Sequence, residues 1–333
     1  MNKQITNIQC FNKLDRKFCV APMLDWTDRH CRYFHGLISQ QALLYTEMVT
    51  TGALIHGDHN RFLKQLPMKN PVAFQLGGSN PKDLAICAKM VEDYAYAEVN
   101  LNVGCPSDRV QNGRFGACLM AEPQLVADCV VAMSQAVSIP VTIKSRIGID
   151  DLDSYEELVN FVATIASAGC KTFIVHARKA WLRGLSPKQN REVPPLRYDL
   201  VYQLKKDFPQ LEIIINGGIT TLDQVEEQLK QVDGVMMGRE AYHNPYIMSE
   251  VDKRFFGAAN EPLSRQTIVE ALIPYIQEQL KFEVRLNSLS RHILGLFHGE
   301  PGARGWRRYI SENVSKPGAD EGVILEALAY TCR

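Results

Sequence analysis

Eight short apolar segments, separated by longer amphipathic ones, are the feature that most restricts how this chain can fold. The longer segments repeat apolar residues at the helical period of 3.6, as Leu84, Cys87, Ala88 and Val91 do. The short segments are predicted strands: residues 18–23, 43–49, 72–77, 97–103, 141–147, 172–177, 212–216 and 234–237. Strands that alternate with helices predict a parallel sheet. Eight such units within roughly 230 residues favour an α/β fold of the closed (β/α)8 TIM barrel type over a doubly wound sheet, which typically has fewer strands.

Polar side chains recur near the carboxyl ends of five predicted strands. They are Gln75, Asn100 with Asn102, Lys144, His176 and Asn216. Side chains alternate across a strand, so these residues can all point into the barrel mouth, where TIM barrels carry their active sites. Taken singly, each of them is also explained as a strand end that meets solvent. Agreement among five strands favours a functional site.

The fourth predicted strand runs directly into Gly104-Cys105-Pro106. Proline removes an amide donor and favours an extended backbone at the preceding residue, so the sequence predicts a thiol held at the end of a strand. A cysteine that acts only as a small apolar residue is the simpler interpretation. A free thiol, with a pKa of about 8.5, is mostly protonated at neutral pH and suits a general acid. A nucleophile would need a histidine partner and an oxyanion hole, which spacing alone does not locate.

Two glycine motifs follow the last two predicted strands: Asn216-Gly217-Gly218 and Gly238-Arg239. Glycine permits close backbone approach, and arginine binds phosphate through paired hydrogen bonds. TIM barrels often bind phosphate after strands seven and eight. The motifs therefore predict a phosphate site at the barrel mouth.

Lys144 is costly inside a barrel unless an anion neutralises it, and a phosphorylated flavin such as FMN would do so. The alternative is a Schiff-base lysine, as in an aldolase, which would make the protein a lyase. No GxGxxG motif lies between a predicted strand and helix. A nicotinamide such as NADPH is therefore expected only as a transient reductant.

Composition excludes several classes of protein. Lys plus Arg and Asp plus Glu number 37 each, so an RNA partner would have to be held by local basic patches. The nine cysteines show neither a CxxC pair nor metal-ligand spacing, which predicts reduced thiols and no metal site. No apolar run approaches membrane-spanning length, so we expect a cytoplasmic protein without a membrane partner.

Two segments have the basic and aromatic character that suits nucleic acid. The first, residues 178–195 after the sixth strand, contains Trp181, Arg183, Lys188 and Arg191. The second, residues 301–309, contains Arg304, Trp306, Arg307, Arg308 and Tyr309. Cations bind phosphates and aromatic rings stack on bases, although a solvated loop and a plain helix start would explain the same residues.

The alternation of strands and helices stops beyond Tyr246. A helix is predicted at residues 267–280 after Ser264, and another at 323–329. Between them, Leu289, Ile293, Leu296 and Phe297 form an apolar stripe at helical spacing. We therefore predict a catalytic barrel domain at residues 1–250 and a small all-helical domain at 262–333.

Several motifs together resemble the tRNA-dihydrouridine synthase family. They are Ala21-Pro22-Met23, residues 100–106, residues 141–144, His176-Ala177-Arg178, Asn216-Gly217-Gly218 and Gly238-Arg239. Residues 25–29, 103–116, 177–181 and 184–187 resemble the DusA subfamily in particular. The resemblance extends from Phe18 to the end of the chain.

The resemblance implies FMN-dependent reduction of the uracil C5=C6 bond in the tRNA D-loop, with NADPH as reductant and positions 20 and 20a as targets. Hydride would pass from flavin N5 to C6, and Cys105 would protonate C5. The base would have to flip out of its stack to reach the flavin. A monomer is expected.

By position, the resemblance also assigns binding residues. FMN would contact Pro22, Met23, Leu24, Gln75, Lys144, His176, Asn216, Gly217, Gly218, Gly238 and Arg239. Asn102 would contact the flipped uridine, and tRNA would be gripped by Arg183, Lys188, Arg191, Arg304 and Arg307. Two other interpretations remain open: an FMN reductase of the dihydroorotate type acting on a small molecule, and a non-catalytic RNA-binding protein or chaperone.

Overall fold

The eight predicted strands form a closed barrel. The structure, a computed structural model, describes residues 14–107 and 113–331. The parallel strands follow one another around the barrel in chain order. Their bounds are β1 Phe18–Val20, β2 Leu43–Thr50, β3 Val72–Gly77, β4 Glu98–Val103, β5 Val141–Arg146, β6 Thr172–His176, β7 Glu212–Asn216 and β8 Gly234–Met237. The TIM barrel prediction is confirmed. β1 ends three residues earlier than predicted, just before Pro22, which has no amide to donate to a strand.

Helices occupy the segments between the strands and continue after β8. They are α1 Arg29–Ile38, α2 Thr51–His56, α3 His59–Leu63, α4 Pro81–Asp93, α5 Pro123–Ala136, α6 Tyr155–Ser167, α7 Tyr198–Asp207, α8 Leu222–Leu229, α9 Arg239–His243, α10 Val251–Phe256, α11 Arg265–Lys281, α12 Leu286–Ser290, α13 Ala303–Asn313 and α14 Gly322–Leu328. Local sequence sets several of their starts. Asn80 caps α4 ahead of Pro81, and capping boxes open α6 at Ser154 and α8 at Thr221. None of the helices within the described ranges is long and apolar enough to cross a membrane.

The strand register divides the side chains of the barrel into two sets. Pairing aligns Gln75 with Asn100, Asn102 with Lys144 and Arg146 with His176. The alternate residues are fully buried apolar side chains, namely Phe74, Leu101, Ile143, Val175 and Ile215. The predicted alternation of polar and apolar faces is therefore present in the structure.

The chain forms two compact units. The first comprises the described residues of Met1–Arg16, Val49–Gln65 and Pro71–Ile213, and the second those of Lys17–Met48, Leu66–Asn70 and Ile214–Arg333. The helices after β8 thus belong to the same compact unit as β1, β2 and β8. The domain boundary expected at residues 250–262 stays a prediction.

In the second unit, the C-terminal helices differ in detail from the predictions. α11 follows its cap Ser264 as predicted, and the four residues of the apolar stripe are all buried. Only the first of these four, Leu289, lies in a helix, because the chain forms successive turns at residues 291–299. The chain packs closely in this segment: a Cβ atom on Gly295 would lie 2.3 Å from the carbonyl oxygen of His243, so only glycine fits there.

Trp306 is fully buried on the core face of α13, so the expectation that it stacks on bases is wrong. Its indole Nε1 donates to the carbonyl oxygen of Ile293 at 3.2 Å, and its ring packs at 4.9 Å from that of Phe297. Arg304 and Arg307 lie exposed on the same helix. α13 therefore divides into a core face with the tryptophan and a solvent face with the arginines.

We expect Trp306→Ala to lower the free energy of unfolding by about 3–5 kcal/mol, because it deletes a large buried ring. Arg308→Ala, on the exposed face of α13, should change it by less than about 0.5 kcal/mol. Urea denaturation followed by circular dichroism measures both. Equal stability of the two variants would contradict the buried placement of Trp306.

Candidate active site

A row of buried amide side chains crosses β3 and β4 in the first unit. Gln75 Nε2 donates to Asn100 Oδ1 at 2.8 Å, and Asn102 Nδ2 donates to Gln75 Oε1 at 2.8 Å. Asn100 Nδ2 in turn donates to Thr142 Oγ1 on β5 at 2.9 Å. All four side chains are buried. These amides are therefore held in fixed orientations inside the barrel.

Asn102 also holds the start of the loop that carries Cys105. Its Oδ1 accepts hydrogen bonds from the backbone amides of Gly104 at 3.1 Å and Cys105 at 3.0 Å. The Cys105 carbonyl oxygen accepts from the amide of Ala117 at 2.9 Å. The half-buried Cys105 thiol lies 3.5 Å from Ser107 Oγ. The thiol is thus held at the carboxyl end of β4, as the sequence predicts; residues 108–112 of the same motif lie outside the described residues.

Arg146, at the end of β5, joins this loop to the loop after β6. Its Nε donates to the carbonyl oxygen of Gly104 at 3.0 Å, and its Nη1 donates to those of Lys179 at 3.1 Å and Asn190 at 2.8 Å. A Cβ atom on Gly104 would lie 3.3 Å from the backbone of Ser145, so glycine suits this close approach. One buried guanidinium therefore fixes the backbone on both sides of the site.

Cationic side chains gather on β5 and in the loop after β6 in the first unit. Burial and the neighbouring Arg146 guanidinium lower the pKa of Lys144 to about 7. Burial, with the charges of Arg146, Lys144, Arg178 and Arg191, holds the pKa of His176 well below its usual range, so the imidazole is neutral. Crowded, partly desolvated cations favour an anionic ligand. The donor set fits an electron-rich, anionic ring such as that of a reduced flavin.

The loop after β6 is ordered around Asn190, which is completely buried. The side chain of Asn190 accepts from the Trp181 amide at 2.8 Å and donates to the Trp181 carbonyl oxygen at 2.9 Å. Lys179 bonds Asp153 and lies 4.1 Å from the centre of the Trp181 ring. Three of the cations predicted to bind tRNA lie in this loop, and all three are exposed: Arg183, Lys188 and Arg191. The loop is therefore a rigid platform with cations on its surface.

A small apolar core lies beneath these loops. Ala117, Ile149 and Ala180 are buried together, and Met120 and Leu182 pack against them. These residues come from the loops after β4, β5 and β6. The Cys105 loop and the basic loop thus share one core.

In the second unit, the loop after β1 presents an apolar side chain to solvent. The Met23 amide donates to Thr27 Oγ1 at 2.9 Å, and the Asp25 amide donates to Glu47 Oε1 at 2.5 Å. Asp25 has a positive φ of 64°, which turns the chain sharply. Leu24 is 64% exposed at this turn. An exposed leucine on a fixed turn suits contact with a flat ring.

Asp28 fixes the other end of this loop. Its carboxylate caps α1 by accepting from the amides of His30 and Cys31, and it bonds Arg291 at 2.6 Å and His292 at 3.1 Å. Burial raises the pKa of the Asp28 carboxyl, but the hydrogen bonds and charges of these partners outweigh that effect and lower the pKa well below its usual range. The loop after β1 is therefore tied to the turns between α12 and α13.

The predicted phosphate motifs also lie in the second unit. Asn216 Nδ2 donates to the carbonyl oxygen of Met236 on β8 at 2.8 Å. Gly217 and Gly218 have positive φ values of 121° and 70°, conformations that favour glycine. A Cβ atom on Gly238 would meet only Ala21, at 3.9 Å. The backbone at both motifs is thus shaped to admit a close ligand, and Arg239 follows Gly238 as the first residue of α9.

The comparisons with known proteins agree with this geometry. The family model described as Dihydrouridine synthase (Dus) matches residues 19–330. This chain belongs to the dihydrouridine synthase family.

Several curated proteins similar to this family member are named tRNA-dihydrouridine(20/20a) synthase. The proteins of Shewanella oneidensis, at 60% identity over 324 residues, and Yersinia pestis, at 62% over 315 residues, are both named tRNA-dihydrouridine(20/20a) synthase. The alignments cover 97% and 94% of this chain, and 96% and 91% of the relatives. A Vibrio cholerae protein of the same name is 60% identical over 314 residues, with 94% of this chain and 96% of the relative covered.

Among solved structures, a 2-naphthoyl-CoA reductase complex with 2-naphthoyl-CoA is similar with a TM-score of 0.57. It shares 12% identity and is matched over 71% of this chain and 50% of its own. At this identity the likeness shows the fold alone.

Sequence reasoning missed Glu98, Thr142, Arg146 and Asn190 in this dihydrouridine synthase family member. A signal for three of them exists: Glu98 shares a strand face with Asn100, and Thr142 and Arg146 share one with Lys144, because side chains two apart point the same way. The sequence gives no such signal for the role of Asn190 or for the acceptors of Arg146, because these hydrogen bonds are made to backbone atoms. No group of three or more His, Cys, Asp or Glu side chains within the described ranges is arranged to hold a metal.

The lowered pKa of Lys144 predicts a pH-dependent stability of the cofactor-free protein. Its folded-state pKa of about 7 lies below the ordinary value of 10.5, so the unfolded chain holds the proton more tightly. The charge on Lys144 therefore destabilises the fold fully below pH 7, and progressively less as the pH rises toward 10.5. We expect Lys144→Met to raise the urea midpoint at pH 6, and by a smaller margin at pH 9.

Lys230→Met is the matched control, because Lys230 is exposed and pairs with Glu227 at the surface. It should leave both midpoints unchanged. A stabilisation by Lys144→Met that is identical at pH 6 and pH 9 would refute the role assigned to the charge.

Proposed function

We propose that this protein is an FMN-dependent tRNA-dihydrouridine synthase that reduces uridines at positions 20 and 20a of the D-loop, with NADPH as reductant. The observation that carries this proposal is the near full-length identity of about 60% to relatives that bear the name tRNA-dihydrouridine(20/20a) synthase. The thiol held at the end of β4 supplies the acid that such a reduction requires. A tRNA substrate also supports a cytoplasmic location.

Residues suited to FMN are found in each unit taken by itself. In the first, Lys144 and the neutral His176 would hold the electron-rich part of the ring, with the Gln75 amide beside them. In the second, the exposed Leu24, with Pro22 and Met23, would contact the ring, and Asn216, Gly217, Gly218, Gly238 and Arg239 would hold the phosphate. When bound, reduced FMN supplies the hydride for uracil C6.

The residues of the Cys105 loop account for the second half of the reduction. The Cys105 thiol donates its proton to uracil C5, and Arg146 holds the backbone beside it through the carbonyl oxygen of Gly104. Asn102 keeps one amide hydrogen beyond the bond to Gln75, which suits a carbonyl oxygen of the flipped base. The hydrogen bonds of Asn102 and Arg146 to the loop keep the thiol in position without movement of the loop.

tRNA would be held through its phosphates by exposed cations. Arg183, Lys188 and Arg191 stand on the ordered loop after β6, and Arg304 and Arg307 on the solvent face of α13. We propose that the helical region from residue 262 acts as the tRNA-binding domain. Contacts to several phosphates would make turnover fall steeply with ionic strength, which a reductase acting on a small neutral substrate would not show.

Mapping of dihydrouridine in tRNA from a strain that lacks this protein tests the proposed function. We expect uridine at positions 20 and 20a, and dihydrouridine once the gene is restored. Unchanged dihydrouridine at both positions in the deletion strain would overturn the proposal, as would a purified protein that takes up no FMN and oxidises no NADPH.

Cys105→Ala should lower dihydrouridine formation by at least about 100-fold, because it removes the proton donor. FMN content and the tRNA dissociation constant should stay within about twofold of the wild type. Cys118→Ala, which changes the other half-buried described cysteine, is the matched control and should retain activity. Full turnover in Cys105→Ala would remove this thiol from the mechanism.

Arg304→Ala and Arg307→Ala should each weaken tRNA binding and reduce the slope of log affinity against log salt by about 1, with the flavin spectrum unchanged. Lys253→Ala, which removes an exposed cation paired with Glu261, should leave affinity unaltered. Filter binding over a salt series measures all three. Loss of flavin instead of tRNA affinity would show that α13 serves a different role.

A further inference from the structure

A continuous row of hydrogen bonds runs through the first unit from the amino end of β4 to the Cys105 loop. It begins at the ion pair of Arg16 with Glu98, in which Arg16 Nη2 lies 2.7 Å from Glu98 Oε2. Thr142 Oγ1 donates to Glu98 Oε1 at 2.6 Å, and Asn100 Nδ2 donates to Thr142 Oγ1 at 2.9 Å. The row then continues through Gln75 and Asn102 to the amides of Gly104 and Cys105.

The carboxylate at its start gives this row a single direction. Glu98, paired with Arg16, only accepts, so the Thr142 hydroxyl must donate to it and can only accept from Asn100. Asn100 then presents its oxygen to Gln75, and Gln75 presents its oxygen to Asn102. Because Asn102 uses its nitrogen to donate to Gln75, its side-chain oxygen faces the backbone amides of Gly104 and Cys105 and accepts from both. Reversal of any one amide group would place two donors or two acceptors against each other.

The location of Glu98 makes a purely structural role a poor explanation. It is fully buried at the first residue of β4, in a barrel interior that branched apolar side chains ordinarily fill. An apolar residue there would avoid the desolvation of a charge. What Glu98 contributes is therefore a fixed orientation of the amide groups in the row, and not tighter packing of the barrel interior.

We propose that Glu98 and Thr142 are positioning residues, which act through Asn100, Gln75 and Asn102 to fix the amides of Gly104 and Cys105. They touch neither substrate nor cofactor. The inference rests on the proposed function only in that the positioned thiol is the proton donor. Its effect on the loop backbone is independent of the reaction.

Substitutions at Thr142 test this row while they leave the Arg16–Glu98 pair intact. Thr142→Val removes the hydroxyl at nearly constant volume, and Thr142→Ser keeps it. Thr172→Val is the matched control, because Thr172 Oγ1 is also a buried hydroxyl that donates to a carboxylate, Glu212, at 2.8 Å. Glu212 pairs with Nη1 of Arg16, so Thr172 does not lie on the path from Glu98 to Cys105. Glu98→Gln, which keeps the shape of the side chain but can donate as well as accept, tests the direction.

Enzyme kinetics and amide hydrogen exchange are measured for each variant with its flavin bound. We expect Thr142→Val and Glu98→Gln to lower kcat for dihydrouridine formation at least tenfold, with KM for tRNA, flavin content and the rate of flavin reduction by NADPH within twofold of the wild type. Hydrogen exchange should be at least tenfold faster at the amides of Gly104 and Cys105, with no change in β7. Thr142→Ser and Thr172→Val should behave as wild type in both readouts.

Wild-type kinetics in Thr142→Val would overturn the proposal, and so would equal losses in Thr142→Val and Thr172→Val, which would indicate general support of the barrel. Failure of the proposed function is distinguishable, because the wild type would then form no dihydrouridine. The exchange rates of Gly104 and Cys105 would still decide the inference: protection lost in Thr142→Val and kept in Thr142→Ser supports it, and unchanged protection refutes it.

Discussion

Polar groups buried inside a barrel must form hydrogen bonds with one another, and in this protein those bonds determine the position of Cys105. The amides of Gln75, Asn100 and Asn102 are buried together, and each amide group donates one hydrogen bond to the next side chain. At the end of this row, the Asn102 side-chain oxygen accepts a hydrogen bond from the backbone amide of Cys105. A cysteine on an exposed loop would otherwise sample many positions, whereas here its main chain is fixed from the inside of the barrel. The reactivity expected of the Cys105 thiol therefore depends on hydrogen bonds among buried side chains inside the barrel.

Arg146, at the end of β5, gives the same loop a second anchor. Its three acceptors are backbone carbonyl oxygens from two loops, so the strand β5 holds both loops at once. The apolar core of Ala117, Ile149 and Ala180 lies beneath them. Together these contacts turn long connections into a rigid surface. The basic side chains of the loop after β6 can then face a large substrate while the thiol stays in place.

Much of this architecture is visible in the sequence. Eight apolar segments locate the eight strands, and the polar residues at their ends locate Gln75, Asn102, Lys144 and His176 on one face. Glu98 escapes notice because it is the first residue of its strand and looks like a solvent-exposed end. Trp306 is misjudged because its arginine neighbours suggest RNA, although Ala303, Trp306 and Ile310 follow the helical spacing of a buried face. The contacts of Arg146 and Asn190 are made to backbone atoms, which have no sequence signature.

Asp28 joins parts of the chain that are made at very different times. Its carboxylate caps α1 near the start of the chain, and its partners Arg291 and His292 are synthesised more than 260 residues later. On the ribosome, the loop between β1 and α1 is made first and lacks these two partners until residues 291 and 292 have emerged. A nascent chain therefore carries this loop without its last two hydrogen-bond partners until those residues are made, although the cap on α1 can form at once.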